Sequence, residues 1–206
     1  MDSIDFFYIN SINDKIPENK HNVCLKNNVY LHNNIKIIES IKDLPNHITH
    51  LKLCNHKKII NLPNNLKCLE FDVHSPYNEP LTNLPNKLET LILGKDFNQE
   101  LENLPDSLKT LKFSIWSIYD KLLNKLPKNL ENLTICHNYN EKIPLELFNN
   151  FKEITLIAHK NDYTPLKEYK YIKDLLIYRN NKNIKLITKI TNYEIIGRLH
   201  EEVLNE

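Results

Sequence analysis

The chain has 206 residues, 41% hydrophobic and 26% charged, the make-up of an ordinary globular protein with enough length for one sizeable core. Basic and acidic residues nearly cancel, 27 against 26, for a net charge of +1. That removes the general electrostatic attraction of a nucleic-acid or anionic-membrane binder, and no apolar run approaches the ~20 residues of a membrane-spanning helix.

Taken in chain order, residues 1–36 are expected to form a small N-terminal cap. The opening MDSIDFFYINSINDK has no basic region ahead of its short apolar run, so a secreted location is not expected. Ile4, Phe6, Phe7 and Ile9 are expected to pack on the first coil of the repeats. VCLKNNVYL, residues 23–31, reads as two short strands around Lys26-Asn27-Asn28, a hairpin. Cys24, Cys54, Cys68 and Cys136 show no CxxC spacing and read as reduced thiols of a cytoplasmic protein.

Residues 37–178 repeat. Leu-Pro occurs at Leu44-Pro45, Leu62-Pro63, Leu84-Pro85, Leu104-Pro105 and Leu126-Pro127. Each is followed by the same apolar pattern: NHITHLKL, NNLKCLEF, NKLETLIL, DSLKTLKF and KNLENLTI. NNFKEITLI and KYIKDLLI keep the pattern without Leu-Pro, making seven units. Upstream of each unit stands Ile37, Asn55, Tyr77, Phe97, Tyr119 or Tyr139, and four residues later Ile41, Ile59, Leu81, Leu101, Leu123 or Ile143. Length varies mainly at one corner, as in FDVHSPYN and FSIWSIYD.

The segment L-x-x-L-x-[LIF] ends in period-two alternation, which predicts a short strand with one buried face. Proline donates no ladder hydrogen bond, so it belongs just before the strand. Some twenty residues bury no apolar face alone, whereas stacked copies share one core. The predicted fold is therefore a repeat solenoid, a leucine-rich-repeat-like stack of about seven coils of 18–22 residues with one short parallel strand per coil. Residues 179–206 are expected to cap it. Thr191-Asn192-Tyr193-Glu194 has capping-box spacing, and Ile196, Leu199 and Val203 come next on one face of a short C-terminal helix.

After the upstream aromatics come Asn78, Asn98, Asp120 and Asn140. A polar residue at one fixed place in successive coils predicts a buried ladder satisfying turn backbone groups; the alternative is an exposed turn residue in a chain with 31 asparagines. On the outward face of the strands one column reads Lys52, Glu70, Ile92, Lys112, Thr134, Thr155 and Leu176. A second column, beginning at Thr49 and Lys67, alternates sign through Glu89, Lys109 and Glu131, as expected of a register-supporting charge ladder. Apolar residues among these polar ones are the better partner anchors: Ile92, Ile157, Leu176 and Tyr178, together with Trp116 in its long corner, where local packing is the alternative.

Chemistry is less in evidence. With only Gly94 and Gly197, the chain has no glycine-rich phosphate loop, dinucleotide fingerprint or nucleophile elbow. His47, His50, Cys54 and His56 are zinc-ligand types, but four residues of strand between His50 and Cys54 span about 13 Å, too far to share one ion. No catalytic residue, metal or other cofactor is expected.

The unit resembles the FNIP repeat, a leucine-rich-repeat relative abundant in social amoebae and in giant viruses of the mimivirus group. Phe97-Asn98 matches its first half, Tyr77-Asn78-Glu79-Pro80 and Tyr139-Asn140 match with Tyr for Phe, and NLPDSLKTLKF matches its second half. The resemblance implies a non-enzymatic interaction module, in a viral setting one that binds a host factor in the host cytoplasm. Such repeats often come after an F-box, whose Leu-Pro-x-Glu opening is missing from the N-terminus here. The rival readings are a self-associating structural subunit of a viral particle and a ubiquitin-ligase substrate adaptor without a recognisable F-box.

Overall fold

The computed structural model of the chain describes residues 6–9, 15–25, 44–54, 59, 61–136, 139, 141, 143, 151–159 and 185–191. Nine strands occur among them: β1 (Phe7–Ile9), β2 (Asn22–Leu25), β3 (His50–Leu53), β4 (Cys68–Phe71), β5 (Thr90–Leu93), β6 (Thr110–Phe113), β7 (Asn132–Cys136), β8 (Glu153–His159) and β9 (Lys185–Thr191). They form one sheet in chain order, and every neighbouring pair is parallel. Each coil thus brings the chain back to where the previous strand began, as a solenoid requires. No helix lies among the described residues.

The leucines align as the repeat demands. Val23, Leu51, Leu69, Leu91, Leu111, Leu133 and Ile154 lie side by side across seven strands. All are buried, while the residues on either side of the central leucines are half-buried on the other face. A one-residue slip would turn this whole column out to solvent, so burial fixes the register.

Proline closes the corner ahead of each strand. Ile48, Leu66, Leu88, Leu108 and Leu130 each donate a backbone N–H to the carbonyl of the proline three residues earlier, at 3.0–3.2 Å. Proline keeps an acceptor though it has no donor, and the two residues inside each turn are Asn-His, Asn-Asn, Asn-Lys, Asp-Ser and Lys-Asn, mostly good turn formers. The turn delivers the next apolar side chain into the core, where all five are fully buried.

The aromatics form a second interior stack. Tyr77 and Phe97 lie parallel with centroids 6.4 Å apart, Phe97 and Tyr119 at 6.3 Å, and Tyr119 and Tyr139 at 6.1 Å. Burial pushes the phenols of Tyr77 and Tyr139 up to about 12, and that of Tyr119 higher still. The Tyr139 hydroxyl accepts the Leu123 N–H at 3.2 Å, tying one coil to the previous one.

The structure corrects two expectations at the ends. β2 is not half of a hairpin: β1 and β3 occupy both of its edges in parallel, leaving no edge for an antiparallel partner. The apolar pattern of VCLKNNVYL suits a coil strand equally well, and stacking decided the matter. At the far end, the place beside β8 predicted for the strand of KYIKDLLI is held by β9, in which Leu186 pairs with Ile154 and Lys189 with Ile157. The sheet therefore extends into the stretch expected to be a cap. The predicted C-terminal helix, Leu176, Tyr178 and Asn140 lie outside the described residues.

Candidate interaction surface

Side chains that alternate away from the core make the outward sheet face. His50, Cys68, Thr90, Thr110, Asn132 and Glu153 stand in register along one column. Lys52, Glu70, Ile92, Lys112, Thr134 and Thr155 stand along the next. Ile92 is half-buried there. Lys52 and Glu70 are in direct ion-pair contact, and the Asn132 amide donates to Thr110 Oγ1 at 3.3 Å.

The open part of this face is β3 to β6. Thr134 and Thr155 are only 8% and 4% exposed, and the Thr155 hydroxyl is turned onto Glu153 Oε1 at 3.1 Å. Leu176 and Tyr178, expected to continue this face as an apolar surface with Ile157, lie outside the described residues. Ile157 itself sits in β8 between Cys136 and Lys189.

Cys68 stands beside His50 in the ladder, a pairing that invites a nucleophile reading. The electrostatics oppose it. Burial, with Glu70 adding to it, pushes the Cys68 thiol up to about 11, and burial also lowers the pKa of His50. Both shifts favour the neutral forms and so oppose a thiolate–imidazolium pair. Among the described residues no group of three or more His, Cys, Asp and Glu is placed to hold a metal ion.

The charge ladder contributes to register. Lys109 meets Glu89 at 3.4 Å and Lys152 meets Glu131 at 2.8 Å, all four side chains being about a third or more exposed. At such exposure each pair contributes no more than ~1 kcal/mol.

The polar ladder after the aromatics is present, but on the exposed side of its corner. Asn78 Oδ1 accepts the Asn98 N–H at 2.8 Å, and Asn98 Oδ1 accepts the Asp120 N–H at 3.1 Å. The aromatic turns inward, so the next residue must turn outward; it reaches along the stack instead of into it. Water competes for these bonds. Asn98→Ala is accordingly expected to destabilise by about 0.5–1.5 kcal/mol, read as a lower urea midpoint. A midpoint equal to wild type would show that the ladder contributes nothing.

Another ladder, not singled out by the repeat pattern, runs along the proline turns. Asn46 Oδ1 accepts the Asn64 N–H at 3.1 Å, and the amides of Asn65 and Asn129 donate to the carbonyls of Asn46 and Asp106. Its signal in the sequence is the run of asparagines just after Leu-Pro.

The long corners carry the exposed apolar residues. Val73 and Trp116 are each 38% exposed, Ile118 49% and Leu122 55%. In SIWSIY the residues alternate: Ser117 and Tyr119 are buried, which turns Trp116 and Ile118 outward. The period-two pattern counted back from the buried aromatic could have located Ile118, which sequence reasoning missed, as it missed Val73. Ser114 joins these corners across two coils. Its Oγ donates to the Val73 carbonyl at 3.0 Å and accepts the Trp116 N–H at 3.2 Å. Gly94, in the coil between them, makes this approach possible, because a Cβ there would lie 2.7 Å from Ser75 Cβ and 2.8 Å from the Asp72 carbonyl oxygen.

Residues 77–114, two full coils in the middle of the stack, match the family described as FNIP Repeat. Among solved structures the chain is similar to CroV588, a giant-virus protein described as a novel circular LRR protein structure, with 27% identity and a TM-score of 0.54. The match covers 73% of this chain and 22% of CroV588, so the chain corresponds to less than a quarter of that protein. No curated protein matches it. The central coils thus carry FNIP repeats, and the described residues form a leucine-rich-repeat-like solenoid of parallel strands.

Proposed function

We propose that this solenoid is a non-enzymatic scaffold that binds another protein, using the rim formed by the corners of the β4 and β6 coils together with the adjoining sheet face. The observation that carries this reading is the exposure of Val73, Trp116 and Ile118 on corners whose backbone Ser114 joins. Exposed aromatic and aliphatic anchors on a rigid support suit recognition, since little freedom is lost on binding. A repeat fold supports the reading by spreading such anchors over an extended surface. Similarity to a giant-virus protein favours a viral setting, in which the partner is a host protein.

Affinity capture from cells of the source organism, quantified by mass spectrometry, tests it. Wild type is expected to recover at least one specific protein that the double variant Trp116→Ser, Ile118→Ser loses. Equal recovery of every specific protein by both would reject this rim as the binding surface.

Self-association is the second reading. It is favoured by β1 and β9, each of which pairs on one side only among the described residues. An unpaired strand edge is a ready template for another chain. Light scattering that finds a monomer at every concentration would exclude it.

A further inference from the structure

We infer that the surface around β6 recognises a protein segment in which a carboxylate lies next to an apolar side chain, the carboxylate meeting Lys112 and the apolar group meeting Trp116. This rests on the protein-binding reading above and specifies the chemistry of the partner.

Lys112 is the first observation. Two lysines stand on the part of the sheet face formed by β3 to β6. Lys52 is engaged by Glu70, whereas Lys112 has no ion pair or hydrogen bond among the described residues. It is half-buried, flanked in register by Ile92 and Thr134, with Thr110 two residues before it. Glu70 stands two strands away, about 9.6 Å in backbone spacing, and is already paired. The Lys112 charge opposes the effect of burial on the Cys68 thiol. A carboxylate arriving there gains a charge-assisted hydrogen bond, with the threonine hydroxyls as further donors.

Trp116 is the second, independent observation. It stands four residues after Lys112 on the same coil, so the cation lies on the face and the indole at its rim. The backbone between them is already held, through Ser114 to Val73 of the coil two turns earlier. An anchor positioned before the partner arrives needs little further ordering. A lysine without an ion pair on the β3 to β6 face, in a chain of net charge +1, also suits one carboxylate better than a phosphate backbone, which is held by several cations.

Selection of a random-peptide display library on the wild-type protein tests the inference. The enriched peptides are expected to place Asp or Glu next to a large apolar residue. Their binding should weaken at least about tenfold with Lys112→Glu, and a fresh selection on that variant should favour Lys or Arg instead. Lys112→Gln, which keeps the side-chain length, should weaken binding with an unchanged melting curve and so separates recognition from folding. Enriched peptides without an acidic bias, unchanged binding by Lys112→Glu, failure to select any peptide, or tighter binding of a single-stranded DNA oligonucleotide would each overturn the inference. If the cellular partner is lost with Trp116→Ser, Ile118→Ser but kept with Lys112→Glu, the scaffold reading stands and the carboxylate site falls.

Discussion

Replacing Phe97 by Ala is expected to destabilise the fold by about 3–5 kcal/mol, the upper range for truncating a core aromatic. The side chain is 1% exposed and lies between the rings of Tyr77 and Tyr119, parallel to both within 7°. Its loss leaves a void that neither neighbour can fill, because each is held in its own coil by the backbone ladder. Tyr77 also packs on Phe71 at 4.7 Å and Tyr119 on Phe113 at 4.5 Å, so relaxing towards the gap would break contacts with the strands. In a solenoid each coil is stabilised mainly by its two neighbours, and this position serves both interfaces. Urea unfolding gives the measurement, with Tyr8→Ala as the control, since Tyr8 is 57% exposed and its loss should change stability by less than about 0.5 kcal/mol. Similar midpoints for the two variants would refute the interior stack.

Gly94→Ala should destabilise by about 1–3 kcal/mol, although it adds only one methyl group. The cause is space and not backbone conformation, because no glycine among the described residues has a positive φ. The new Cβ would meet Ser75 Cβ at 2.7 Å and the carbonyl oxygens of Asp72 and Ser75 at 2.8 and 3.1 Å. Two of these atoms are backbone and cannot swing aside. Relief requires the corner of one coil to move off the next, which would strain the hydrogen bond from Ser114 to Val73 that joins the corners on either side. Trp116 is the only tryptophan and is bonded through its backbone to Ser114, so its fluorescence reports the displacement. A lower melting temperature with shifted emission is expected. If both stay at wild-type values, the close approach at Gly94 has no energetic weight.

The two positions differ in how they could be read. Phe97 was visible in the sequence, because aromatics recur at a fixed distance before Leu-Pro and nothing but a shared interior explains such recurrence. Gly94 was visible only as one of two glycines. Its role depends on the corner of the preceding coil, whose residues lie some twenty positions earlier and whose length varies. Polar ladders show the same division. That Asn78, Asn98 and Asp120 occupy equivalent places was legible, but their exposed side of the turn was not, because a short polar side chain can reach the backbone from either side. Among the anchors proposed from the sequence, Trp116 does stand exposed at the rim and Ile92 is half-buried on the face. Ile157 belongs to a strand whose outer neighbour is not the predicted one.

By itself the sequence determined the solenoid: its period, the strands β3 to β8, the leucine column and the aromatic interior. A repeated pattern is read many times over, and burial of its apolar positions allows one register. Tertiary structure alone decided which strands flank the stack, how corners of unequal length meet, and which apolar residues remain outside. Those depend on neighbouring coils that differ from one another, so no single unit encodes them. VCLKNNVYL carries an ordinary strand pattern, and only pairing with a coil on each side made β2 a member of the stack.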